Sequence, residues 1–177
     1  MRIISLMPVG RVDRALLEPL AASLTQRLRV ACSIQPDGLE TEFAFNPLRR
    51  QYHSTEILKK ILRRPPGPTW KVLGVTEMDL YIPVLTFVFG EAQLADGGAV
   101  VSTHRLRQEF YGLPHDPELL RERLLKESLH ELGHTYGLRH CPDYTCVMSA
   151  ANGVERIDLK QPDFCRACAQ ALPFSEP

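Results

Sequence analysis

The chain has 177 residues, 44% of them hydrophobic and 24% charged, which suits one globular domain with its own core and excludes a disordered or coiled-coil chain. Its 21 basic and 21 acidic residues cancel to a formal net charge of zero, so no global field draws it to nucleic acid or an anionic membrane. The apolar run 3–9 is interrupted and soon followed by charge, unlike a secretory signal, and no stretch is long enough to cross a bilayer. The expected address is the cytoplasm.

In chain order, RIISLMPV reads as a buried strand and DRALLEPLAASLTQRL as an amphipathic helix with Asp13 as its N-cap. RVACSIQP is a second short strand, and the segment from Asp37 to Asn46 reads as loop. STEILKKILRR opens with a capping pattern and continues as a helix, which PPGP at 65–68 stops. WKVLGV is a third strand. FVFGEAQL and AVVSTHRL are two more, joined by Ala95-Asp96-Gly97-Gly98, residues that suit a hairpin turn. HDPELLRERLLKESLHELGHTYGL predicts a long helix, with Pro117 at its first turn and Gly137 near its end. A last short helix is expected around DFCRACAQAL. Strands alternating with helices and then a hairpin indicate an α/β sandwich with a mixed sheet.

The long helix carries the chemistry. A helix turns about 100° per residue, so His134 sits near +40° from His130 and both imidazoles share a face, one turn apart. Glu131 lies about 100° round from His130, beside that line. Leu125, Leu129, Leu132 and Tyr136 recur at helical spacing and form the expected core stripe. Gly137 can take the left-handed conformation that ends a helix, and the turn would return His140 to the same point. Three neutral imidazoles with an open fourth position make a catalytic type of zinc site, whose ion lowers the pKa of its water toward about 7. Glu131 is placed to take the proton, which suits amide hydrolysis. Five specified positions at roughly 5% each arise by chance in such a chain with odds on the order of one in ten thousand.

Four of the five cysteines fall in the last 37 residues. Four residues separate Cys141 from Cys146 and two separate Cys165 from Cys168, with an 18-residue loop between the pairs. In a reducing compartment that spacing suits a closed, structural four-cysteine zinc site, stapling a segment too short for its own core. Two disulfides are the alternative. Cys32, in a strand pattern, reads as a small buried apolar residue.

HELGHTYGLRH matches the extended motif HExxHxxGxxH of metzincin metallopeptidases at every specified position. With CPDYTCVM and FCRAC beyond it, the chain resembles the archaemetzincin branch in particular. The specific motifs cover residues 130–168. The resemblance implies an α/β (α+β) fold, with a twisted five-stranded mixed sheet packed on the active-site helix and a small C-terminal zinc-stapled subdomain. It implies one metallopeptidase domain over 1–177, divided into 1–137 and 138–177. It also implies His130, His134 and His140 on a catalytic zinc and Cys141, Cys146, Cys165 and Cys168 on a structural one. Glu131 is then the catalytic residue, and Met148 lies in a tight turn below the metal. Peptidase activity follows, with some relatives regarded as aminopeptidases. Astacin-like and serralysin-like metzincins place a tyrosine shortly after the turn methionine to stabilise the oxyanion. Here SAANGV follows Met148, and the stabilising group is unassigned.

Among the remaining candidates, Glu77 and Asp79 at a strand end either shape a substrate cleft or are solvated carboxylates. His53, His104 and His115 lack partners at ligand spacing and read as surface or capping residues. KKILRR and LRR form a basic cluster on a solvated face. A metal-dependent endoribonuclease is the rival reading, since some use a similar triple-histidine helix; Glu131 and the cysteines argue against it. A catalytically inactive zinc protein that binds peptides is the third. The expected partner is a peptide or protein substrate, not nucleic acid or membrane, and an exposed edge strand within 86–94 is expected to receive it by main-chain hydrogen bonds.

Overall fold

A computed structural model describes residues 2–63 and 69–173 of the chain. The helix stop expected at 65–68, together with Arg64, lies outside them. Strand β1 (Ile3–Val9) is followed by α1 (Arg14–Leu28) and β2 (Ala31–Ile34). The Asp13 side chain accepts from the Ala15 N–H and caps α1 as expected. A 3₁₀ turn (Glu42–Ala44) leads to β3 (Phe45–Asn46) and β4 (Gln51–His53), and then to α2 (Ser54–Leu62). Next come β5 (Thr69–Thr76), β6 (Leu80–Tyr81), β7 (Gly90–Ala92) and β8 (Gly98–Ser102). The long α3 (Pro117–Thr135) starts at the Asp116 cap, and α4 (Val154–Leu159) and α5 (Arg166–Gln170) follow.

The main sheet has five strands in the order β2-β1-β5-β8-β7, parallel except for the antiparallel β7–β8 hairpin at one edge. This is the expected mixed α/β sheet. Alternation along each strand sends Ile4, Leu6, Leu73, Val75, Ala99 and Val101 to one face, against α1 and α3. Met7, Val9 and Val100 face the other way, where they meet Ile57 and Ile61 of α2. Met148, Ile157 and Leu172 join the larger core, so the segment beyond α3 packs on the same hydrophobic body.

Several expectations need correction. Residues 37–46 are not wholly loop, because β3 pairs with β4, and β4 with β6, in a second three-stranded sheet. Strands of two or three residues carry no readable alternation. The run FVFGEAQL contributes only Gly90–Ala92 to the sheet, and α4 had no periodic signature. The capping pattern at Ser54 is not used as such: His53 is the N-cap and makes no side-chain cap bond. The hydroxyls of Ser54 and Thr55 instead donate to the Glu91 carboxylate on β7. On α3, Leu129 and Leu132 are fully buried while Leu125 and Tyr136 are only partly so. The helix is also buried at Leu124, Lys126, Glu127 and Gly133, because the sheet covers one side and the C-terminal segment another.

Candidate metal centre and cleft

Helix α3 ends as its glycine predicts. Gly137 takes φ 93°, its N–H donates to the His134 carbonyl at 2.9 Å, and Leu138 N–H reaches back to Gly133 O at 3.0 Å. That reversal brings His140 over the helix, with ring centroids 5.2 Å from His130 and 5.0 Å from His134. One nitrogen of each of the three histidines lies within 4.8 Å of the others.

The tautomers follow from the hydrogen bonds. His130 Nδ1 is 2.9 Å from the Val147 carbonyl, and His134 Nδ1 is 2.8 Å from the Leu138 carbonyl. A carbonyl can only accept, so each Nδ1 carries the proton and each Nε2 presents a lone pair. Those two Nε2 atoms are 3.1 Å apart. Lone pairs so placed repel unless a cation lies between them. Zinc–nitrogen bonds of about 2.0–2.1 Å at the tetrahedral angle would set the pair about 3.3 Å apart, so the donor set fits that metal. Burial holds both imidazoles below their ordinary pKa, in the neutral form that a ligand needs.

Cys141, Cys146, Cys165 and Cys168 are also brought together, as free thiols whose sulfurs all lie within 4.8 Å of one another. The Cys141 and Cys165 sulfurs are 3.8 Å apart. Zinc–sulfur bonds of about 2.3 Å in a tetrahedron give about 3.8 Å, whereas a disulfide needs about 2.0 Å. Main-chain bonds knit this cluster to the histidines: Cys141 N–H donates to Met148 O at 2.9 Å, and Val147, whose carbonyl holds His130, lies between Cys146 and Met148.

Glu131 lines the same cleft as the histidines, a groove of about 510 Å³. It is buried, and burial first, then the neighbouring Glu127 carboxylate, pushes its pKa well above the usual carboxylate range. Strand β7 crosses directly above it: a Cβ built on Gly90 would sit 2.7 Å from Glu131 Cγ and Oε1. Opposite, a Cβ on Gly133 would meet Met148 Sδ at 2.3 Å, so the glycine makes room for that methionine. One turn before Glu131, Glu127 forms a buried ion pair with Lys160, 3.0 Å long. Lys71, buried in β5, donates to Thr135 O at 2.7 Å and Asp96 O at 2.8 Å, and Ala95 N–H donates to His134 O. These bonds dock the β7–β8 hairpin on the end of α3.

Strand β7 is the free edge of the sheet on the cleft side. Phe89 O accepts from Ser102 N–H and Gln93 N–H donates to Gly98 O, so alternate residues address β8. Gly90 and Ala92, between them, turn their main-chain groups outward. The free edge, Gly90–Ala92, lies within the expected 86–94, and it starts beyond Val88, whose N–H already bonds Leu80 O.

Glu77 and Asp79 do not shape the cleft. Glu77 accepts from Asp13 N–H and Arg107, and Asp79 from Arg105 and Gln51. His53, His104 and His115 join no metal group among the described residues, and His115 pairs with Glu109. Cys32 is half-buried, and burial raises its thiol pKa, as for an unreactive side chain. Gly90, Gly133, Lys71, the Glu127–Lys160 pair and the Val147 carbonyl escaped the sequence reading, because each acts through a partner distant in the chain.

The profile of peptidase family M54 matches residues 55–173, from α2 through the histidine and cysteine groups. An archaemetzincin from Methanocaldococcus jannaschii is 42% identical over 169 residues, covering 96% of this chain and 92% of that one. Among solved structures, a zinc-dependent peptidase from Methanocorpusculum labreanum superposes with a TM-score of 0.86 at 33% identity, over 95% of this chain and 98% of that one. Archaemetzincin from Archaeoglobus fulgidus gives 0.83 at 39%, over 97% and 100%. Sheet, cleft and relatives define the class: this is a zinc metallopeptidase, a hydrolase of the metzincin type. Within that class the chain belongs to peptidase family M54, the archaemetzincins.

Proposed function

We propose that the chain is a single metallopeptidase domain that cleaves peptide bonds with Glu131 as general base, and that it holds two zinc ions. One ion is held by His130, His134 and His140, the other by Cys141, Cys146, Cys165 and Cys168. A zinc ion at the histidines supplies a Lewis acid and a nucleophilic water near neutral pH. The chain does the rest. Glu131 takes the proton of the attacking water and passes it to the leaving amine, a task suited to a carboxylate with a raised pKa. The outward main-chain groups of Gly90 and Ala92 take an extended substrate as an added strand, which lays its carbonyl over the histidines. The four thiols brace the Val147 carbonyl that orients His130. The observation that carries this reading is the pair of Nε2 lone pairs, 3.1 Å apart and each fixed by an Nδ1–H bond, beside a buried glutamate.

The rival nuclease reading gains nothing from the cleft. Three glutamates and no lysine or arginine line it, a poor host for a phosphate backbone. Free thiols at the cysteine cluster agree with a reducing, cytoplasmic address, and no helix among the described residues is long and apolar enough to cross a membrane. The test is to incubate the zinc-loaded protein with a peptide library and a structured RNA and identify products by mass spectrometry. Peptide cleavage that a chelator abolishes, with the RNA intact, is expected. Loaded protein that cleaves no peptide would overturn the reading.

A further inference from the structure

Amide hydrolysis needs a donor for the carbonyl oxygen as it gains charge, and no tyrosine follows Met148 to provide one. The cleft itself narrows the choice. Apart from the histidines, the side chains lining it that carry an N–H or O–H donor are Thr86 and Asn152. Their positions differ. Glu131 and Gly133 are two residues apart on α3, about 160° apart around the axis by the shorter arc, and His130 and His134 lie within that arc. Strand β7 covers the Glu131 side and Met148 packs on the Gly133 side. The cleft therefore has two banks with the histidines as its floor. Thr86 belongs to the strand bank, four residues before Gly90, where its carbonyl is held by Arg49 and Gln51. Asn152 belongs to the other lining segment, 150–152, which follows Met148 in the chain.

Asn152 also has no structural task. It is exposed and makes no hydrogen bond, ion pair or ring contact among the described residues. An asparagine beside a helix start usually caps it, but the N-cap of α4 is Gly153, with no side-chain cap bond. Resting on the peptidase reading, we propose that Asn152 is the oxyanion donor of this enzyme, its carboxamide N–H bonding the scissile carbonyl oxygen from the bank opposite Glu131. A peptide added to β7 presents its carbonyl between the two banks. Attack comes with Glu131 on one side, and the developing charge meets the amide on the other. A carboxamide donates without ionising, so the same hydrogen bond is available at any working pH.

The experiment compares wild type with Asn152→Ala, Asn152→Asp and Thr86→Val, each checked for zinc content and thermal unfolding. Steady-state kinetics on the best library peptide are paired with the affinity of a phosphinate pseudopeptide of fixed sequence chosen beforehand, whose oxygens mimic the tetrahedral transition state, and with that of the corresponding product peptide. Loss of one such donor typically lowers kcat by about 10²–10³. Both Asn152 variants should show that loss with KM within about threefold, phosphinate affinity falling in parallel and product affinity unchanged, while Thr86→Val stays near wild type. Asn152→Ala with kcat and phosphinate affinity near wild type overturns the assignment, as does an effect confined to KM. If wild type cleaves no peptide, the peptidase reading falls separately. The phosphinate arm still decides, since weaker binding by Asn152→Ala upholds the donor and equal binding, or none by wild type, removes it.

Discussion

Gly90 stands where any side chain would collide with Glu131. Its missing Cβ leaves 2.7 Å to Glu131 Cγ and Oε1 and the same to the Val100 carbonyl, which belongs to the neighbouring strand and cannot retreat. Gly90→Ala should therefore displace Glu131 or open the edge of the sheet. A loss of about 1–3 kcal/mol in urea unfolding is expected, as for overpacking, together with a fall in kcat of more than about tenfold. A fully active, undiminished variant would show that Glu131 has room to move. Glu131→Gln probes the same pair from below. The amide keeps the volume but cannot take a proton, so fold and metal content should persist while hydrolysis falls by about 10²–10⁴. Elemental analysis beside a peptidase assay separates this outcome from loss of the metal.

At the scale of elements, α3 departs from a simple amphipathic helix because it is wrapped rather than laid on a surface. Its Arg123 forks onto Asp158, and its Glu127 pairs with Lys160, so two ion pairs join it to α4 and the residue after it. Glu127 is 3% exposed and Lys160 1%, so neither charge has solvent to fall back on. Lys160→Met should cost about 3–5 kcal/mol in chemical denaturation, because it leaves a buried carboxylate uncompensated. Removing both charges, in Glu127→Leu with Lys160→Met, should recover most of that loss, since the pair itself contributes little beyond an apolar contact of like volume. If the double variant is as unstable as the single one, the pair is not the cause. Helix α2 shows the same dependence on a distant element: its first-turn hydroxyls are met by Glu91 of β7, which joins the helix to the strand that forms the cleft edge.

Across the whole molecule the histidine and cysteine groups differ in exposure and in what depends on them. The histidine group opens on the cleft, with His140 exposed, whereas Cys146 is buried and the other three cysteines half-buried. A mild chelator should remove about one zinc per chain, abolish activity and leave the fold, and added zinc should restore it. Cys165→Ser should instead lower the melting temperature and the bound metal together. Activity then falls indirectly, since the route from the cysteines to His130 runs through Cys146, Val147 and its carbonyl. Zinc-free protein with the four cysteines joined as two disulfides would defeat the two-metal reading.

The convergence of the histidines was legible in the chain because it is local. Three histidines and a glutamate within eleven residues need only a helix and a left-handed glycine to converge, and both are set by near neighbours. The cysteine pairs were legible for the same reason, as were the longer strands and helices with their hairpin turn. Tertiary structure alone decided what surrounds those side chains. The strand over Glu131, the Val147 carbonyl that sets the His130 tautomer and the lysine that pairs with Glu127 all come from outside α3. Their side chains and backbones carry no periodicity that reports a partner dozens of residues away. Proximity along the chain sets which groups can bind the metal, and packing across the fold sets how they are aimed.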